Sequence, residues 1–504
     1  MQPRVATALV HLALVPNVAY AMVIQHATAP HPLSAAPSAR LNLRADSPVL
    51  LDADQPDESN VASLFASLRA RQAELATAMD DRWRSAECAP RVGLVIDNWV
   101  RRLALEWPRA IVGTAQGALL LADLSTGEVV AKASRAHPDY VATPECERDM
   151  RRLFGEFDGG GILALELRGP TVVSAGRDGG AKMWRLARLS PDGPEELLPV
   201  AELHTAETDS PSSTVSAIAI TGGTEAVDSG EASAAGEAIW VGSLDGFARR
   251  FEVRAPASSV ADATESAVDC TATIEAAGPV LSMAVCEEAG LLALGISDGS
   301  VQLFTLTDGK PCGASWRPLG FDGSRGVRGE GTRSLAFVCF PGGQFALVAG
   351  GTEGAMHARL AWPVRGDAPD DDDTAAAAFR QDAPGTQLRP SHNGRVVALT
   401  PLPTNERMGN TLVSEPLLVS GAHDGTLRVW EMELVDGVPV VGARCLYGLG
   451  GFKVWLGSVA TDGVRLVSDG KDNAIVVHDF SEEAVAKLRS ESAGDSAGDA
   501  AGDS

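Results

Sequence analysis

Aromatic side chains are scarce in this 504-residue chain, at 5% with three tyrosines in total. Few stacking platforms for single-stranded nucleic acid can therefore be built. Positive charge is short as well: 42 Lys and Arg stand against 66 Asp and Glu, a formal net charge of −24. That balance opposes attraction to phosphate backbones, and no nucleic-acid partner is expected. The seven cysteines, Cys88, Cys146, Cys270, Cys286, Cys312, Cys339 and Cys445, form no Cys-x-x-Cys pair, and no His stands at ligand spacing. Neither a zinc module nor a dense disulfide framework is indicated, and the thiols are expected to fill core. No Asn-x-Ser/Thr glycosylation acceptor occurs. Past Ile24 no apolar run is long enough to span a bilayer, so the mature chain is expected to have no membrane span.

What the chain does have is a recurrence. Seven times a short apolar run ends in Gly or Ser, turns through Asp-Gly or a relative, and leaves in a second apolar run. The copies are Ile111–Gly117, Val172–Gly179, Ile239–Gly246, Leu292–Gly299, Leu347–Gly354, Leu418–Gly425 and Leu466–Asn473. Turn residues that tolerate positive φ, flanked by apolar alternation, predict a β-hairpin each time. Inner strands are predicted before them at Val100–Trp107, Ile162–Leu167, Val215–Ile220, Val280–Cys286, Arg333–Phe340, Arg395–Thr400 and Lys453–Val459, and an outer strand follows the second copy at Glu196–Leu203. Four strands per unit result. A single four-stranded sheet cannot bury both faces, so the units must stack.

At this point the chain resembles the WD-repeat β-propellers. In the sixth unit His392, Ser420, Asp424 and Trp430 stand at that family's spacing, and in the second His137, Ser174, Asp178 and Trp184 do so after an insertion behind His137. The resemblance implies a hydrogen-bonded network inside each of these blades, linking the loop His through Ser and Asp to the Trp N–H. Elsewhere the Trp position holds Ala122, Phe251, Phe304, Arg359 or His478, and Arg359 makes the fifth unit the weakest fit. The expected fold is all-β: a seven-bladed propeller of four-stranded antiparallel blades over 90–480, preceded by a short amphipathic helix. Ring closure by Arg91–Asp97, completing the last blade, is favoured over closure by Val485–Arg489, because Ser481-Glu482-Glu483 reads as a helix N-cap.

Residues 1–45 contain no Asp or Glu. An apolar stretch from Val5 leads to Ala19-Tyr20-Ala21, and an Ala-, Ser- and Pro-rich segment with Arg40 and Arg44 follows. This resembles a signal peptide followed by a transit peptide, the bipartite presequence of algal plastids bounded by extra membranes. Plastid is the expected location, with a secretory or endomembrane lumen and the cytoplasm as alternatives. Residues 46–89 form a linker and a helix over Asp57–Ser85, where Val61, Leu64, Phe65, Leu68, Leu75 and Met79 recur at helical period; it either packs on the propeller or docks on a partner. Insertions at Gly222–Gly236, Gly320–Gly331 and Asp367–Gly385 read as surface loops, and Asp370–Asp373 as solvated charge rather than a calcium loop. Residues 481–504 are an acidic low-complexity tail whose end, from Ser492, is too poor in apolar residues to fold.

No catalytic constellation emerges. Gly295-Ile296-Ser297-Asp298-Gly299 matches the nucleophile-elbow string, but Val301–Phe304 continues as a strand where that elbow needs a helix. Recurrent turn acids such as Asp178 and Asp424 are explained by their bonds to nearby backbone. The reading is a non-catalytic scaffold with no cofactor and no metal, binding a protein or peptide partner. The resemblance places Arg177, Leu244, Ser297, Thr352, His423 and Lys471 around one mouth of the channel, as the candidate partner face. Two alternatives are a propeller hydrolase or oxidoreductase with a channel site, and an adaptor of a ubiquitin ligase using residues 57–107.

Overall fold

Six of the seven recurrent turns fold as tight hairpins, and the seventh joins two paired strands, in the computed structural model, which describes residues 7–10, 22–26, 58–137, 161–188, 190, 193–203, 214–222, 237–253, 268–318, 331–361, 384–403, 416–435, 440–450, 456–470 and 473–498. Six turns place a glycine (Gly117, Gly179, Gly246, Gly299, Gly354 and Gly425) at φ between +71° and +88°, and the seventh places Asn473 at +62°. These are left-handed values that side chains other than Asn and Asp rarely adopt. In the second, third, fourth and sixth turns the Asp accepts from the backbone N–H two residues on, as in Thr426 N to Asp424 Oδ1 at 3.0 Å.

The hairpins belong to seven antiparallel sheets, and the sheets follow one another as the blades of a propeller. Inner strands run Val100–Glu106, Ile162–Arg168, Val215–Thr221, Val280–Cys286, Thr332–Phe340, Val396–Pro401 and Val459–Thr461 for blades 1 to 7. In every blade the position that carries Trp430 in blade 6 pairs with the residue twelve positions earlier. Ala122 with Ala110, Phe251 with Ile239, Phe304 with Leu292, Arg359 with Leu347 and His478 with Leu466 are the degenerate cases. The blades are thus equivalent in register even where the Trp is lost.

Blade 5 has all four strands despite Arg359. Among the described residues the shortfall falls on blade 4, which has three; its outer edge makes isolated bridges, Val301 to Trp316 and Phe304 to Pro311. Pro311 has no N–H to give a ladder. Closure uses the N-terminal strand: Ala89–Val95 pairs with Ala474–Asp479 as the fourth strand of blade 7. The described inner strand of blade 7 is Val459–Thr461; of the expected Lys453–Val459, residues 453–455 lie outside the described residues and Leu456–Ser458 are not in the strand. Asp469 takes the backbone N–H of Gly457 and of Ser458, which leaves those groups outside the ladder.

A hydrogen-bonded seam joins neighbouring inner strands. Ser216 Oγ donates to Val280 O, Ser282 Oγ to Thr332 O at 2.9 Å, Ser334 Oγ to Val396 O at 3.1 Å, and Ser458 Oγ accepts from Leu103 N at 2.9 Å. Apolar side chains of adjacent blades interleave between the sheets; Trp430, for example, packs with Val338, Val348 and Leu418.

Helix α1, Glu58–Ser85, docks by its C-terminal end between blades 6 and 7. Trp83 is buried, stacks on Phe480 at 3.8 Å and donates its indole N–H to Gly463 O at 2.8 Å, while Arg82 Nε donates to Phe480 O at 2.6 Å. Farther forward the helix leaves the ring, with Leu68 and Leu75 each 49% exposed. The C-terminal tail is helical as far as Gly498, beyond the Ser492 at which folding was expected to stop. This helix, α2 (Glu482–Gly498), starts from the Ser481 cap, has Glu482 and Glu483 in its first turn and buries Val485. An anchored, correctly capped first turn supplies the nucleus that the Ala-rich remainder lacks. Within residues 1–45, Met22–His26 pairs with the outer edge of blade 6 and Thr7–Val10 pairs with it in turn. Ala19-Tyr20-Ala21 and Asp370–Asp373 lie outside the described residues.

Blade 7 keeps Ser468 but has His478 where blade 6 has Trp430; the Ser468 hydroxyl and His478 Nδ1 are buried without a hydrogen-bond partner. Burial pushes the imidazole down to about 4, against a bond with the Leu466 backbone that acts the other way. The folded chain therefore keeps His478 neutral while the unfolded chain protonates it below about pH 6.5, so stability is lost as pH falls from there toward 4. Phe occupies the same register in blades 3 and 4. His478→Phe should match or exceed the wild type at pH 7, and its advantage should grow by up to about 3 kcal/mol by pH 4. Urea denaturation at several pH values measures this, and parallel pH dependences would refute it.

Candidate functional site at the channel mouth

The networks around the two retained Trp residues come first, because they decide which polar groups are available for chemistry. In blade 6 Trp430 Nε1 donates to Ser420 Oγ at 2.8 Å, His392 Nε2 lies 2.8 Å from the same oxygen, and His392 Nδ1 lies 3.1 Å from Asp424 Oδ2. Blade 2 repeats this with Trp184 to Ser174 at 2.9 Å, His137 Nε2 to Ser174 at 2.9 Å and His137 Nδ1 to Asp178 Oδ1 at 2.9 Å. Since the Ser oxygen accepts from the indole, its own proton goes to Nε2, and Nδ1–H donates to the carboxylate. Burial keeps His392 below its ordinary value despite Asp424. Burial alone would raise Asp424, but bonds from His392, Thr426 and the Asn393 N–H hold it well below the usual carboxylate range.

Ser420, His392 and Asp424 thus have the connectivity of a hydrolytic triad. Ser420 and Trp430 are completely buried, however, and the Ser hydroxyl is engaged on both sides. No substrate carbonyl can reach it. The backbone of each His loop is pinned to the hairpin of the preceding blade, His137 N to Gly117 O at 2.9 Å and His392 N to Gly354 O at 3.0 Å, so the networks clamp blade to blade.

The starts of the inner strands meet around the ring axis, where a cavity of about 100 Å³ is lined from all seven blades. In blades 1 to 6 the strand shifts register at its second or neighbouring residue, leaving Arg101, Leu163, Ser216, Leu281, Arg333 and Val397 as the bulged positions. Every one of these six lines the cavity. A bulge bends the strand and re-aims the extra side chain, here toward the axis. Arg102, Arg177 and Arg395 join Arg101 and Arg333, so five guanidiniums share the lining, with no carboxylate in it among the described residues. Arg101 lies over the Trp99 ring at 4.7 Å, and Arg102 Nε donates to Leu163 O at 2.6 Å. Burial, then Arg395, brings Arg333 down to about 9. Burial, then the surrounding arginines with Arg395 foremost, brings His423 down to about 4.

The other ends of the inner strands are acidic. Glu106 closes the blade 1 strand, Glu166 accepts from Ile220 N at 2.9 Å, and Glu287 pairs with Arg168 and accepts from Gly222 N at 3.2 Å. Burial pushes Glu166 up to about 8, against the Ile220 bond and Arg168. Glu106 and Glu287 are compensated in place by Arg109 and Arg168.

Of the residues expected on the partner face, Arg177 and His423 line the cavity. Leu244 is buried instead of presented, Ser297 and Thr352 are half-buried, and Lys471 lies outside the described residues. Arg101, Arg102, Arg333 and Arg395 were missed; their shared place at the start of an inner strand is the signal that could have found them. Cys286, Glu288 and Cys339 also gather, with ligand atoms within 4.8 Å of one another, from two adjacent blades. Linear cysteine spacing could not reveal that grouping. A hydrogen bond with Cys339 and then burial push the Cys286 thiol far up, which disfavours the thiolate a metal needs.

Residues 386–431 match the family model for the WD domain, G-beta repeat. The chain carries a WD repeat. That segment holds the whole network of blade 6, from His392 to Trp430. No curated protein matches the chain. Among solved structures it is similar to the computationally designed Ika8 protein, at 16% identity and a TM-score of 0.43, over 77% of this chain and 99% of that one. Among the described residues no helix is long and apolar enough to cross a membrane.

Proposed function

We propose that this WD-repeat propeller is a non-catalytic scaffold that presents its channel mouth and rim to a protein partner. One observation carries the reading: the Ser and His side chains that could do chemistry are buried inside blades 2 and 6, while residues of every blade converge on one open mouth. Proximity labelling from the full chain in its native cell should return a small, reproducible set of protein neighbours in one compartment. Turnover of an ester or glycoside by the purified chain, or a quinone or metal copurifying with it, would overturn the reading in favour of an enzyme.

The acid-free first 45 residues and Ala19-Tyr20-Ala21 support a plastid as that compartment. A reporter fused after Asp46 should enter the plastid of a suitable alga. Deleting Met1–Ala21 should leave it cytosolic, and deleting Met22–Ala45 should divert it to an endomembrane compartment or to secretion. Cytosolic fluorescence with the intact leader would refute the plastid assignment and favour the ubiquitin-ligase adaptor.

A further inference from the structure

A chain with a net charge of −24 collects five guanidiniums in one axial cavity, and they come from four separate blades: Arg101 and Arg102 from blade 1, Arg177 from blade 2, Arg333 from blade 5 and Arg395 from blade 6. Their placement is built in. Arg101 and Arg333 sit at strand bulges, Arg101 is braced by Trp99, and Arg102 is tied to the Leu163 and Gly457 carbonyls at 2.6 and 3.1 Å. Burial first, and then Arg395, depress Arg333, so the two guanidiniums sense one another across the cavity. We propose that the mouth of the channel is a binding site for a small diffusible molecule carrying phosphate groups.

Guanidinium forks match the oxygens of phosphate, and several converging on one point select a compact, multiply charged oxyanion over a single carboxylate. A compact phosphate group fits the cavity of about 100 Å³. The site stands whether or not a protein docks on the rim.

Calorimetric titration of the full chain with inorganic pyrophosphate at low ionic strength tests this, with melting temperature as a second readout. Saturable one-site binding with a raised melting temperature is expected. Arg333→Gln combined with Arg395→Gln should weaken it by about 100-fold or more, since charge-assisted bonds are lost from both. Melting of the double variant without pyrophosphate gives the baseline for the second readout, and Arg101→Gln alone gives a milder change should the double variant misfold. Arg69→Gln with Arg71→Gln, on the exposed part of α1, should bind as the wild type does. Lack of saturable binding, or equal binding by all variants, would overturn the proposal. So would saturation by a phosphoserine peptide or a Glu-rich peptide with no response to pyrophosphate, since the anion would then belong to a protein partner.

Discussion

Trp430→Ala is expected to lower the stability of the chain by about 3–5 kcal/mol, the range for removing a large, fully buried aromatic side chain and orphaning its partner. Trp430 is 0% exposed and packs between blades 5 and 6, so the cavity left behind would open onto both sheets. Its N–H is also what holds the Ser420 hydroxyl toward His392, and without it the chain to Asp424 loses its fixed direction. Trp430→Phe should recover the packing but not that bond, and fall between the two. Thermal and urea unfolding measure all three proteins. A Trp430→Ala protein as stable as the wild type would show that the blade 6 network does not support the ring.

Gly117→Ala should cost about 3 kcal/mol or more, although it adds a single methyl group. Gly117 has φ of +76°, where an L side chain is strained by about 1–2 kcal/mol. A Cβ there would also overlap the carbonyl of His137, the residue whose N–H bonds back to Gly117 O. Relief requires the His137 loop to move, which breaks the clamp between blades 1 and 2 and pulls His137 from Ser174 and Asp178. The contrast with Gly169→Ala is the control. Gly169 also has positive φ, at +56°, but open space around it, so only the backbone strain should remain. Equal losses at both positions would mean that the loop clamp contributes nothing.

The seven-fold architecture was legible because its signal is local. Turn glycines, their Asp neighbours and flanking apolar runs are read within eight residues, and they dictate the hairpins whatever surrounds them. Legibility failed where tertiary context decided. In blade 4 Pro311 could have warned against a fourth ladder strand, but which edge it would fall on was set only by the fold. In blade 7 Asp469 captures the backbone N–H groups of Gly457 and Ser458, which keeps them out of the predicted inner strand. The arginine cluster was the most hidden: Arg101, Arg177, Arg333 and Arg395 are separated by long stretches of chain, and only ring closure makes them neighbours. In sequence Arg333 looks like the polar member of an alternating strand; the bulge that turns it to the axis leaves no mark in that alternation.

The pairing of Ala89–Val95 with Ala474–Asp479 fixes an order of events. A growing chain emerges from the ribosome as an open arc whose two ends are raw sheet edges, and the arc can become a ring only after nearly the last described strand has been made. Long-range pairing of this kind is slow, and exposed edges in the interval invite pairing with other chains. Synthesis of this protein should therefore depend on chaperones more than its size implies, and a truncation that spares six complete blades but stops before Ala474 should aggregate.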